Sequence, residues 1–217
     1  MKLATPDVST TIPEAESLLV AMAAIAPAGV RLGCRRICEG DEDHLLPDER
    51  RSISSRHPTI RRASGAARHV AHGLLADLGL DDVSILRSPS GAPVWPDGIT
   101  GSLAHDDEVA VAAVAPVSSI RCLGIDVEPP HPLPDDIFTL AVTRADVFDN
   151  VDRGLAGRLI FSAKEAVYKA VYPMDHEILG YDEIAVDLGA NQATTKTGRQ
   201  VRLAFCILPR VIVLAFA

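Results

Sequence analysis

Apolar residues recur at helical spacing in two long stretches of the chain. Between His57 and Leu80, the residues Val70, Leu74, Leu75 and Leu78 fall on one face, and Gly79 follows as a stop. Between Leu155 and Tyr172, the residues Leu159, Ile160, Ala163, Val167 and Val171 do the same. Pro173 is expected to end that helix, because proline has no N–H and crowds the preceding turn. An earlier run, Ser17–Gly29, reads as a surface helix with Pro13 in its first turn. Strands are predicted where apolar runs are short. Val109–Ala115 (VAVAAVA) is a buried strand, and Cys122–Val127 (CLGIDV) is a second, closed off by Pro129 and Pro130. The tail alternates strands at Glu183–Leu188, Gln200–Leu208 and Val211–Phe216 with turns at Gly189–Asn191 and Pro209. Residues 1–12 read as a polar leader and Asp41–Glu49 as an acidic loop. Ser88–Gly101 reads as a Pro- and Gly-rich turn region around Trp95. Helices and strands mix without regular alternation, so the fold class is α+β, with a seam near Pro116–Arg121.

Composition sharpens this picture in three ways. Aromatics are only 4% of the 217 residues, so Ala, Val, Leu and Ile must fill the core. The formal charge of −8 argues against coating nucleic acid or an anionic membrane, both of which reward a basic surface. Cys34 and Cys38 stand in a C-x-x-x-C spacing while Cys122 and Cys206 are isolated, which makes neither a disulfide framework nor a zinc site. A reducing, cytoplasmic compartment is expected. The run Ser17–Gly29 follows Glu14 and Glu16 rather than a cationic segment and is too short to span a bilayer, so neither a signal peptide nor a membrane anchor is expected.

Four clusters can carry chemistry. In Gly124-Ile125-Asp126-Val127-Glu128-Pro129, a strand points Asp126 and Glu128 the same way, with Ile125 and Val127 in the core behind them. Paired carboxylates resist burial unless a cation lies between them, and oxygen-only donors favour Mg²⁺ or Mn²⁺. The plainer alternative is a strand end with two solvated acids. In Phe161–Ala170 (FSAKEAVYKA), Phe161, Glu165 and Lys169 share a helix face. Glu165 would complete an oxygen-rich magnesium site, with a lysine beside it to hold a phosphate oxygen. The alternative is an ordinary surface ion pair. Gly101-Ser102-Leu103-Ala104-His105 suits close approach to a ligand, against the alternative of a structural histidine. Arg61, Arg62 and Arg68 near the start of a helix can grip phosphate, or form a solvated basic face. P-loop, dinucleotide-fingerprint and nucleophile-elbow motifs are absent from the sequence.

Taken in order, G-S-L-A-H at 101–105, G-I-D-V-E-P at 124–129 and F-S-A-K-E-A-V-Y-K-A at 161–170 resemble the 4′-phosphopantetheinyl transferases of the surfactin-synthetase type. Ser90–Asp97 (SGAPVWPD) and the helix His57–Gly79 place the likeness in the enterobactin synthase component D-like branch, and it covers roughly residues 31–217. The resemblance implies a pseudo-dimer of two similar α+β halves. Residues 1–116 would carry the arginines and the Ser/His loop, and 117–217 the acids and the K-E-A-x-x-K helix. Coenzyme A would lie between the halves of a monomer. It implies Asp126, Glu128 and Glu165 as ligands of Mg²⁺ (Mn²⁺ being a substitute), and Asp126, Glu165 and Lys169 as catalytic. Coenzyme A contacts would come from Arg61, Arg62, Arg68, Ser102, His105, Lys164 and Lys169. The implied reaction moves the phosphopantetheine arm onto a serine of an acyl or peptidyl carrier protein in polyketide, nonribosomal peptide or siderophore synthesis. Adenosine 3′,5′-bisphosphate would leave. One position departs from the pattern: Ser90 stands where close relatives carry a coenzyme-binding lysine, and Arg87 lies three residues earlier. Rival readings are a Mg²⁺-dependent coenzyme A diphosphate hydrolase and a silent carrier-binding module.

Overall fold

The computed structural model describes residues 14–149 and 151–217; the leader expected at 1–12 and the Pro13 start of the first helix lie outside them. In chain order the helices are α1 (Glu14–Ile25), α2 (Pro47–Ser52), α3 (Pro58–Ala76), α4 (Asp135–Ala141) and α5 (Arg153–Asp175). The strands of the first half are β1 (Arg31–Arg36), β2 (Leu86–Arg87), β3 (Pro93–Val94), β4 (Ile99–His105) and β5 (Val109–Pro116). Those of the second half are β6 (Leu123–Glu128), β7 (Ile184–Asp187), β8 (Gln192–Thr195), β9 (Gln200–Cys206) and β10 (Val211–Phe216). Strands β1-β5-β4 form one antiparallel sheet and β6-β10-β9-β8-β7 another, with β2 and β3 pairing as a separate hairpin.

The two sheets share a core, and each is covered on its other side by a helix. On β5, Val111, Ala113 and Ala115 turn to the shared core while Ala112 and Val114 turn to Ala71 and Leu75 of α3. On β10, Ile212, Leu214 and Phe216 join the shared core while Val211, Val213 and Ala215 pack under α5. Leu18 and Met22 of α1 are fully buried in the shared core. The resulting order is α3, first sheet, second sheet, α5: a two-half α+β fold in which a long helix lies on each antiparallel sheet. Both faces of β5 and β10 are covered, which explains why these strands are continuously apolar rather than alternating. Among the described residues no helix is long and apolar enough to cross a membrane.

Several expectations are corrected. Helix α5 continues through Pro173 to Asp175 and ends at His176, whose φ of 52° is left-handed. Proline in the last turn removes a single ladder bond, and the His176 N–H still reaches the Tyr172 carbonyl at 2.8 Å. The acidic stretch 41–49 is not a free loop: it holds a 3₁₀ turn at Asp41–His44 and the start of α2, with Asp41 and Glu49 buried. Asp41 accepts from Arg35 at 2.6 Å and from the Cys38 N–H at 2.8 Å. Glu49 accepts from the Ile85 and Leu46 N–H groups at 2.8 Å each and lies 2.8 Å from His72 Nε2. Segment 101–105 lies in strand β4, and the small size of its glycine is required by neighbouring protein atoms. A Cβ at Gly101 would lie 2.7 Å from both the Ala113 carbonyl and the Trp95 ring.

Candidate active site

Strand β6 and helix α5 touch backbone to backbone at Gly124, where a Cβ would stand 1.9 Å from the Ala166 carbonyl oxygen. On β6, Leu123, Ile125 and Val127 enter the shared core, so Asp126 and Glu128 face α5. Asp126 is 6% exposed. It accepts from Lys169 Nζ at 2.6 Å and from Ser162 Oγ at 2.9 Å. Glu128 accepts from Arg158, whose guanidinium also donates to the carbonyls of His131 at 2.9 Å and Pro132 at 3.2 Å. Glu165 accepts from the Tyr181 hydroxyl at 2.8 Å.

The charges of this region act on one another. Burial raises the Glu128 pKa, and the neighbouring Asp126 charge raises it further despite Arg158. Burial also pushes the Tyr181 phenol well above its usual range, with the hydrogen bond and charge of Glu165 adding to it, then the charges of Asp126 and Glu128. All three carboxylates therefore bear on one hydroxyl.

A cleft of about 290 Å³ opens at Glu165. Arg87, Ser90, Trp95 and Ser102 line it from the first half; Glu165, Tyr168, Lys169 and Tyr172 line it from the second. Arg87 and Ser90 also line a second cavity of about 410 Å³, with Ser52, Ser54 and Ser88. The Arg87 guanidinium lies over Gly91, where a Cβ would stand 3.2 Å from it.

Of the residues singled out in the sequence, the cleft gathers Ser102, Glu165 and Lys169, and Asp126 adjoins it through its contact with Lys169. Glu128 lines a separate cavity of about 630 Å³ with Asp106, Glu108, His131 and Arg210. The cleft does not gather the others. Lys164 is 1% exposed. Its ammonium donates to Asp146 at 2.7 Å and to the Tyr181 carbonyl at 2.8 Å, so it faces the interior rather than a ligand. Arg68 is buried, with Nε donating to the Ile85 carbonyl at 2.8 Å. Arg62 pairs with Glu42 at 3.4 Å and Glu39 at 3.6 Å. Arg61 is half-buried on the same first turns of α3, and His105 is exposed at the end of β4. The sequence reading missed Tyr168 and Tyr172, although their spacing of four puts both on one helix face. It also missed Ser162, Arg158 and Tyr181, whose partners lie 16 to 36 positions away.

Among the described residues no three acidic, histidine or cysteine side chains stand together as a ready metal site. The donor chemistry nevertheless fits a hard divalent ion. Asp126, Glu128 and Glu165 offer only oxygen, and the upward push of Asp126 on Glu128 is repulsion that a cation between them relieves.

Glu165 and Lys169 on one wall and Arg87 on the other, in a cleft between two α+β halves, are the side-chain types of enzymes that handle phosphate groups. The 4′-phosphopantetheinyl transferase N-terminal domain matches residues 48–115, and the 4′-phosphopantetheinyl transferase superfamily matches residues 122–212. The 4′-phosphopantetheinyl transferase Npt of Nocardia iowensis is 37% identical over 179 residues, which cover 80% of this chain and 79% of that one. Svp of Streptomyces mobaraensis is 36% identical, covering 70% of this chain and 65% of its own. PptT of Mycobacterium tuberculosis is 35% identical, covering 72% and 70%. The chain belongs to the 4′-phosphopantetheinyl transferase family.

Proposed function

We propose that this protein transfers the 4′-phosphopantetheine arm of coenzyme A to a serine hydroxyl of an acyl or peptidyl carrier protein. The serine oxygen bonds to the β-phosphorus of the diphosphate, the bond from that phosphorus to the bridging oxygen breaks, and adenosine 3′,5′-bisphosphate leaves. The observation that carries this reading is the cleft itself, which sets Arg87 and Ser102 of one half opposite Glu165 and Lys169 of the other.

Transfer of this kind needs positioning and charge neutralisation more than covalent catalysis. Lys169 and Arg87 hold phosphate oxygens, and Arg87 supplies the positive charge that Ser90 does not. Ser102, 3% exposed, offers a hydroxyl donor from β4. Glu165 takes the serine proton on the carboxylate oxygen that Tyr181 does not hold. Trp95, Tyr168 and Tyr172 line the cleft with aromatic surface that keeps water from the reacting groups. Asp126, Glu128 and Glu165 would hold Mg²⁺ or Mn²⁺, and a bound ion offsets charge on the diphosphate. The carrier docks at the apolar end of α5, where Met174 and Ile178 stand exposed. The protein acts as a cytoplasmic monomer, with 1–116 and 117–217 as the halves that close on coenzyme A.

The test is to mix the protein with coenzyme A, Mg²⁺ and a panel of unmodified carriers and to follow carrier mass. Addition of phosphopantetheine to a serine is expected. Release of the bisphosphate without any carrier would instead identify a diphosphate hydrolase. Carrier binding with no metal-dependent binding of coenzyme A would identify a silent docking module.

A further inference from the structure

We propose that Tyr181 is a positioning residue for Glu165, and that a buried Asp146–Lys164 pair holds it in place. The inference rests on the proposed function, in which Glu165 faces the reacting groups. Lys164 and Glu165 are consecutive on α5, and between them they hold both ends of one tyrosine. The Lys164 ammonium donates to the Tyr181 backbone carbonyl at 2.8 Å, and the Glu165 carboxylate accepts from the Tyr181 hydroxyl at 2.8 Å. Lys164 and Asp146 are joined at 2.7 Å with both side chains 0% exposed. The remaining capacity of Asp146 is filled by the Val186 N–H at 2.9 Å, the Thr143 N–H at 2.7 Å and the Thr143 hydroxyl at 3.0 Å.

A buried ion pair is weak support for stability, since desolvation offsets most of its attraction; its better-attested use is to specify one arrangement over others. Here the arrangement specified is the place of Tyr181. That residue opens a three-residue 3₁₀ turn, Tyr181–Glu183, which has too little regular structure to fix a side chain. With its carbonyl held by Lys164 and its ring against Phe161 at 5.7 Å, the hydroxyl has one direction to point. It then occupies Glu165 Oε1 and leaves the other oxygen for the cleft. A carboxylate free to rotate would spread its two oxygens over several positions. A carboxylate tied on one side presents a single oxygen to the serine proton or to a divalent ion. This gives the first lysine of the K-E-A-x-x-K segment a task that its burial permits.

Tyr181→Phe tests the idea, because it keeps the ring against Phe161 and removes only the hydroxyl. The expected result is an unchanged melting temperature and an unchanged KM for coenzyme A. The kcat falls by about 10-fold and Mn²⁺ binding, read by electron paramagnetic resonance, weakens by about 10-fold. A merely structural tyrosine would shift melting and leave the Mn²⁺ affinity alone. Wild-type kcat and Mn²⁺ affinity in Tyr181→Phe overturn the proposal, as does a raised KM with unchanged kcat. Lys164→Arg keeps the charge beside Asp146 but displaces the Tyr181 carbonyl. Combined with Tyr181→Phe it should add nothing, since both act along one path, and additive losses refute the link through Lys164. Should the arginine variant not fold, Tyr181→Phe decides alone. Glu165→Ala is the control for the underlying reading. If it stays active, the assignment of the site fails; if it is inactive while Tyr181→Phe is normal, only the role of Tyr181 fails.

Discussion

Gly124→Ala should disable the site without touching a charged group. The added Cβ would lie 1.9 Å from the Ala166 carbonyl oxygen and 2.8 Å from the Ala170 nitrogen, both backbone atoms of α5. No rotamer relieves that contact, so α5 must retreat from β6 by roughly 1 Å or more to reach ordinary van der Waals separation. The Lys169–Asp126 contact at 2.6 Å and the Ser162–Asp126 contact at 2.9 Å span the same interface and lengthen with it. A misplacement of about 1 Å in a positioned site costs on the order of 100-fold in rate. Overpacking of a tight core costs about 1–3 kcal/mol, and a melting temperature in a chain of this size falls by about 2–4 °C for each kcal/mol. The variant is therefore expected to stay folded, to melt several degrees lower, and to lose about 100-fold in kcat on a carrier substrate. Calorimetry and mass-resolved carrier modification read the two effects separately. Near-normal kcat with intact folding would show that the packing of α5 on β6 does not set the site geometry.

Three further outcomes follow from the same fold. Glu165→Ala should lower turnover by at least about 100-fold even with saturating Mg²⁺, while replacement of Arg68, a buried residue outside the cleft, should act mainly on melting temperature; steady-state kinetics beside thermal melts separate them. Arg87→Ala should raise the KM for coenzyme A by about 10-fold or more, the loss of one charge-assisted contact to phosphate, with a much smaller effect on kcat. Burial alone would raise the Glu49 carboxyl, but the hydrogen bonds from His72 and from the Ile85 and Leu46 N–H groups outweigh it and hold its pKa below 4.5. A depressed carboxylate stabilises the fold above its unfolded pKa and loses that contribution as pH falls through the folded value. Urea unfolding should thus show stability falling below about pH 4.5, with a shallower slope in Glu49→Gln.

The elements that were legible in the sequence are those whose pattern matches what covers them. Strand β5 reads as a continuous apolar run because a sheet lies on one face and α3 on the other. The helix α3 ends where Gly79, with φ of 79°, allows the chain to turn away. What stayed hidden depends on partners far along the chain. Strand β1 (RLGCRR) carries three arginines, and only its pairing with β5 makes it a strand. Gly101 is a glycine because the Trp95 ring and the Ala113 carbonyl occupy the space a Cβ would need. Asp41 and Glu49 look like solvated loop acids until the groups they hold, Arg35, His72 and the Ile85 N–H, are brought to them by folding.

The site divides along the same line, and the two lysines of one helix show where. Successive helical residues are about 100° apart, so Glu165 and Lys169 fall within about 40° of each other while Lys164 lies about 100° from Glu165. Helical periodicity alone therefore separates the two lysines, whereas likeness to a motif groups them as one ligand-binding set. The folded chain follows the period: Lys169 meets Asp126 at the cleft and Lys164 meets Asp146 inside. Alternation on β6 is equally reliable, putting Asp126 and Glu128 opposite α5. Neither period says that β6 and α5 cross at Gly124, and that crossing is what turns two separately readable faces into one site. The information lies in a missing side chain, so it can be read only once both backbones are in view.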